Sequence, residues 1–348
     1  MPADLAVRVA GLLLKNPVMA GSGEATMDAE GLLAALDAGA AAVVAKSTNE
    51  SDAAGRQLEA AEYALLDEDW RPLPLDPSER GGPAPRSASL FCRSGLQRMP
   101  FDTWVAVLAD ADRHAHDRQA YVIPSLIVAD PSESVRMAKE LEAAGLRWLE
   151  LNVGAPHSGE AAPGTIRAAS DAGAVAELVR PVRSAVDIPL TVKLGGQGDP
   201  VAAAKTARDA GADAVCIAGR TLGFLPDLST RRPVLSTFGA VGGAWALPLT
   251  LRWVAKARLA LGPSVPLIGT NGARDGRDVA RFLLAGASAV EMTSAVIVEG
   301  FEALSRAIDG LRMYLDEQGR SASAIIGEAT DHVETYEERG ARLGRKPG

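Results

Sequence analysis

The feature that most constrains this chain is a repeat. Short runs rich in Val, Ala, Leu and Ile recur at residues 17–20, 41–45, 121–125, 148–151, 189–193, 214–218, 266–269 and 289–291. Longer amphipathic segments follow them, at 27–38, 102–116, 131–144, 171–186, 200–210, 247–261, 275–285 and 301–318. Strands apolar on both faces that alternate with helices belong to a parallel sheet covered on both sides. Four helices close on a similar phrase, Ala38-Gly39-Ala40, Ala144-Gly145-Leu146, Ala210-Gly211-Ala212 and Ala285-Gly286-Ala287. In each, the glycine suits the left-handed position that ends a helix before the next strand. Eight such units, with no composition break between halves, predict an α/β fold of the (β/α)8 TIM-barrel type. A doubly wound sheet is the alternative, but no Gly-x-Gly-x-x-Gly follows the first strand.

Size and charge narrow the function classes. A chain of 348 residues with 47% hydrophobic content buries a large core as one barrel or two smaller domains. A net charge of −8 runs against a nucleic-acid or anionic-membrane surface, because both need clustered Lys and Arg. Two cysteines, Cys92 and Cys216, exclude a disulfide framework, a four-cysteine zinc site and a self-contained cysteine-ligated iron–sulfur cluster. The apolar run 9–14 is too short for a signal sequence, and nothing approaches a membrane span. The expectation is a soluble cytoplasmic protein with no metal.

Two connections are far longer than the usual few residues, 46–100 and 219–245. Both follow strands, on the face that carries chemistry in barrels, and are expected to form a substrate lid. The end of the first, Ser89-Leu90-Phe91-Cys92-Arg93-Ser94-Gly95-Leu96, is too apolar to leave in water.

Polar groups gather at the strand ends. The run Leu149-Glu150-Leu151-Asn152 leads into a turn through Gly154 and Pro156, flanked by Asn152 and His157. The last two units end in Gly269-Thr270-Asn271-Gly272 and Met292-Thr293-Ser294. Glycine N–H groups and two hydroxyls after strands seven and eight are the usual phosphate cradle of a barrel, and Gly242-Gly243 adds donors. Lys46 and Lys193 each close a strand, where a buried ammonium needs negative charge nearby. Two cations in one mouth suit an electron-rich ring whose reduced form is anionic.

Together these residues resemble the dihydroorotate dehydrogenase family over almost the whole chain, to about Gly327. The domain reading is therefore a barrel over 1–327 with an extension over 328–348. The segment Glu150-Leu151-Asn152 with Pro156-His157 is also similar to the pyrimidine-reducing domain of dihydropyrimidine dehydrogenase. The resemblance implies an FMN site built from Ala20, Gly21, Ser22, Lys46, Ser47, Asn152, Lys193, Gly219, Gly242, Gly243, Asn271, Gly272, Thr293 and Ser294. It implies a substrate site among Lys46, Cys92, Arg93, Gly95, Leu96, Asn152, His157, Arg220 and Thr221. It also suggests a homodimer.

The departures from the family pattern bear on the substrate. Ala155 stands where the family carries its proton-transferring cysteine or serine, and alanine takes no proton. Cys92 replaces the amide that begins an Asn-x-x-Gly-Leu segment, and Arg220-Thr221 stands near an expected Asn-Thr. The leading expectation is an FMN oxidoreductase acting on a small cyclic or activated C–C/C=C substrate other than dihydroorotate. Cys92, His157 and Lys46 are the candidate catalytic residues. Cys216, mid-strand, is expected to be core without a charged neighbour. Quinone, fumarate, oxygen or a partner reductase remain open as electron acceptor. Two other readings stand beside this one: a non-redox, aldolase-like barrel using Lys193 as Schiff-base amine, and an inactive flavin-binding partner subunit.

Overall fold

The computed structural model describes residues 2–51, 54, 61–127, 130–154, 172–196 and 198–344. Each short apolar run becomes a strand: Val18–Ala20, Ala42–Val44, Tyr121–Ile123, Ser125–Leu126, Leu149–Asn152, Leu190–Lys193, Ala214–Ile217, Leu267–Thr270 and Ala289–Met292. These nine segments make one sheet in which every pairing is parallel. Its two outermost members, Tyr121–Ile123 and Ser125–Leu126, are consecutive pieces of chain separated by Pro124. The sheet therefore closes on itself with eight strands, as the repeat predicts. Proline has no N–H for a sheet ladder and parts the strand expected over 121–125. Its carbonyl still accepts from the Glu150 N–H at 2.9 Å.

Helices cover the outside of the barrel. Asp28, Asp130, Asp199 and Asp275 cap four of them by accepting first-turn backbone N–H groups. The four Ala-Gly phrases end helices as expected, with Gly39, Gly145, Gly211 and Gly286 all at positive φ. The strand residues Val43, Leu151, Val192, Val215, Ile268 and Val290 are fully enclosed between strands and helices.

The two long connections form more than a lid. They build a second, antiparallel sheet in the order Thr221–Gly223, Gly239–Gly243, Ser89–Arg93, Glu62–Leu66, Pro72–Leu73. Side chains alternate across it. Leu65 and Leu90 pack with Ala84, Ala88 and Val298, whereas Leu66 and Phe91 pack with Leu235. A hairpin, Val7–Val9 with Leu12–Leu14, precedes the barrel and takes in the apolar run 9–14. Past Gly327 the chain stays attached, because the Thr330 hydroxyl donates to the Ala285 carbonyl at 2.8 Å. No described helix is long and apolar enough to cross a membrane.

Candidate active site

The C-terminal ends of the strands converge on an open-mouthed cavity, where barrels keep their chemistry. Strand ends contribute Ser22, Lys46, Ser47, Asn152, Lys193, Gly219, Asn271, Gly272, Thr293 and Ser294, and the antiparallel sheet contributes Leu90 with Ser94, Gly95 and Leu96 beyond it. Gly242 and Gly243 line a small adjoining pocket that shares Gly272 and Ser294 with the main one. Ala20 and Gly21 back the wall: Ala20 is fully buried, and the Gly21 N–H donates to the Met292 carbonyl at 3.3 Å. Asn152 spends one side of its amide locally, accepting from the Gly154 N–H at 3.2 Å.

The wall near Asn271 is shaped for close approach. Gly272 sits at φ +115°, and a Cβ there would come 2.7 Å from the backbone of Leu247. A Cβ on Gly242 would come 2.8 Å from the Asn271 side-chain oxygen. That oxygen is buried and accepts no hydrogen bond from the described residues, so it is set for a ligand donor. Thr293 makes no cap bond to the helix Ser294–Glu299, which leaves its hydroxyl to the cavity. These features fit a phosphorylated, hydroxyl-bearing cofactor.

Both lysines meet carboxylates instead of lying along the rim. Lys193 contacts Glu291 directly and lies 3.7 Å from Glu150 Oε2. Burial alone would push its ammonium down, but the charges of Glu150 and Glu291 outweigh burial and hold the pKa above its ordinary value. An ammonium so held is a poor Schiff-base nucleophile. Burial, opposed by Lys193 and reinforced by Glu291, pushes the Glu150 carboxyl up to about 8. Cys216 is not the isolated core residue expected: its thiol donates to Glu291 Oε1 at 3.4 Å. Burial first, then the Glu291 charge, pushes that thiol well up.

The second lysine, Lys46, donates to Glu24 Oε1 at 2.7 Å. The same carboxylate accepts from the Gly95 N–H at 2.9 Å and from the Tyr63 hydroxyl. Burial lowers the Lys46 pKa, Glu24 opposes this, and the nearby Arg220 charge adds to the lowering. Cys92 lies within the strand Ser89–Arg93, fully buried, and does not line the cavity. Its sulfur contacts Arg220 and sits 3.8 Å from the Ser94 hydroxyl. Arg93, named with Cys92 as a candidate substrate residue, alternates to the other side of the strand and reaches Glu62 at 3.2 Å. Thr221 is exposed at the start of an antiparallel strand. Arg220 lines the cavity, donating to Ser94 Oγ at 2.7 Å, and has no carboxylate partner among the described residues. His157, with Ala155 and Pro156, lies outside the described residues.

A family model for dihydroorotate dehydrogenase matches residues 77–315. The chain belongs to the dihydroorotate dehydrogenase family. Among its relatives, the catalytic subunit of dihydroorotate dehydrogenase B (NAD(+)) from Pyrococcus furiosus is 30% identical over 332 residues, covering 94% of this chain and 99% of that protein. The same subunit from Geobacter sp. strain M21 is 31% identical over 329 residues, 93% of this chain and 97% of that protein. That from Bacteroides thetaiotaomicron is 27% identical over 332 residues, 93% and 98% of the two chains. The dihydroorotate dehydrogenase family is one of oxidoreductases built on this barrel, as the resemblance implies.

Within this dihydroorotate dehydrogenase relative, three acidic groups of the site escape a reading of the sequence: Glu24, Glu150 and Glu291. A signal exists for the last two. Each is a carboxylate inside a buried apolar strand, which is unstable without a cation, and Lys193 is a cation with the same difficulty.

Proposed function

We propose that the chain is an FMN-dependent oxidoreductase acting on CH–CH groups of a small, anionic, cyclic or activated C–C/C=C substrate other than dihydroorotate. The chemistry that FMN would supply there is hydride exchange with the substrate. The observation that carries the reading is the meeting of Asn152, Lys193, Asn271, Gly272, Thr293 and Ser294 on one cavity in a member of this family. Lys193 with Asn152 would hold the ring, Ser22 and Ser47 would flank it, and Asn271 to Gly272 with Thr293 and Ser294 would hold the phosphate end.

The substrate class follows from charge. Lys46 and Lys193 are matched by carboxylates, whereas Arg220 contacts Cys92 and Ser94 and has no carboxylate partner among the described residues. Arg220 therefore binds and orients an anionic group, with Ser94 and Cys92 fixing its fork. Lys46 Nζ, lowered by burial and backed by Glu24, holds the proton exchanged with substrate. Cys92 acts through Arg220 from behind the wall. The named activity of the relatives is dihydroorotate oxidation, yet Ala155 supplies no proton acceptor in this chain. Electrons pass to a separate acceptor or reductase, in keeping with relatives named as catalytic subunits. The protein works as a cytoplasmic homodimer.

Dihydroorotate turnover tests the substrate reading. It is expected to run about 10²–10⁴-fold below that of a dihydroorotate dehydrogenase with its base in place; turnover within about tenfold of such an enzyme contradicts the reading. Arg220→Gln should raise the KM for the anionic substrate, reflecting a loss of about 1.5–3 kcal/mol from a charge-assisted contact, while an unchanged KM removes Arg220 from recognition.

A further inference from the structure

Behind the cavity wall lies a carboxyl that the proposed reaction leaves unused. Glu150 is 1% exposed and does not line the cavity. The Ser125 hydroxyl donates to its Oε1 at 2.8 Å. Ser125 Oγ is 2.9 Å from Ser47 Oγ, and Ser47 Oγ is 3.3 Å from Ser22 Oγ. Ser125 is buried, while Ser47 and Ser22 line the cavity. Three hydroxyls, each able to donate and accept, thus run unbroken from the cavity to a carboxyl that water does not reach.

We propose that Ser22, Ser47 and Ser125 form a hydroxyl relay that carries protons between the cavity and Glu150. In the inward direction, Ser22 takes a proton from a donor in the cavity and passes its own to Ser47. Ser47 passes its own to Ser125, and Ser125 gives its proton to Oε1 of Glu150, converting carboxylate to acid. Each serine ends neutral with its O–H turned around, and no electrons move. The outward direction reverses these transfers. Glu150 suits the role because its surroundings poise it near neutrality. Lys193, Glu291 and Cys216 all face it, and the thiol and carboxylate atoms of this cluster lie within 4.8 Å of one another. Glu150 Oε2 has no hydrogen-bond partner among the described residues, and the neighbouring Glu291 carboxylate favours the protonated form of Glu150. Charge appearing in the cavity is thereby balanced from the protein side without opening the site to water. The use of this relay rests on the cavity being a redox site; its existence does not.

Infrared difference spectroscopy of the purified protein, transferred from H2O to D2O, tests it. The acid band of Glu150, identified by its loss in Glu150→Gln, should titrate with pH and shift promptly on transfer to D2O. Ser125→Ala breaks the chain away from the cavity wall and should slow that shift at least about tenfold, since the hydroxyl path between Glu150 and Ser47 is then cut. Ser47→Ala should do the same and serves as the second variant if Ser125→Ala folds poorly. A Glu150 that never carries a proton, or exchange in both serine variants at the wild-type rate, overturns the relay. The measurement reads no flavin, so a colourless protein defeats the functional reading while leaving this test intact.

Discussion

Lys193 ends its strand between Glu150 and Glu291, and that placement decides how three groups ionise. The ammonium stays charged, which disfavours the aldolase-like reading and suits attraction of an electron-rich ring. Its two counterions cannot both be ionised without leaving a net negative charge in the barrel. Burial first, and the Glu291 charge after it, put the cost on Glu150, whose carboxyl sits at about 8 instead of the ordinary 4.5. Between these values the folded chain holds a proton that the unfolded chain does not. Unfolding therefore releases a proton, and this group's contribution to stability falls as pH rises from about 4.5 toward about 8. The slope approaches ~1.4 kcal/mol per pH unit at most. Glu150→Gln should flatten it in urea unfolding across that window. An undiminished slope in the variant would place the titration elsewhere.

At the scale of elements, the antiparallel sheet over the mouth depends on few anchors. Phe91 is 3% exposed between Leu66 and Leu235. Phe91→Ala should cost about 3–5 kcal/mol, seen as faster limited proteolysis within 221–243 while the barrel strands remain protected. Equal protection of that segment would show that the sheet is held by other contacts. The turn at Gly272 is equally specific. Gly272→Ala forces a side chain into a left-handed position against Leu247, and the variant should purify with much less flavin. Flavin retained at wild-type occupancy would place the phosphate end elsewhere.

The barrel strands were legible because each is an apolar run bounded by a helix. The antiparallel sheet was not, because Ser89–Arg93 finds its partner Gly239–Gly243 in the other long connection, and Gly-Ala-Val-Gly-Gly carries no strand pattern of its own. The lysines and Asn152 were legible as polar strand ends. Glu291 was not matched to Lys193, because two strands separate them in the sheet and they meet only across the barrel interior.

For the whole molecule, barrel closure at Pro124 brings strand ends from the full length of the chain around one cavity. Ser22 comes from the first βα unit, Asn152 from the middle, and Thr293 from the last. A site assembled this way is complete only when the barrel is closed, so cofactor retention and global folding should be lost together on thermal unfolding. Cofactor release well below the unfolding transition would instead mark a peripheral site. Whether this cavity holds a flavin is decided by the visible spectrum of the purified protein and the mass of its released cofactor. The purified protein should be yellow, carrying one non-covalent FMN per chain, bleached by a chemical reductant and not appreciably by dihydroorotate. A colourless protein that cannot be reconstituted with FMN would contradict the flavin assignment.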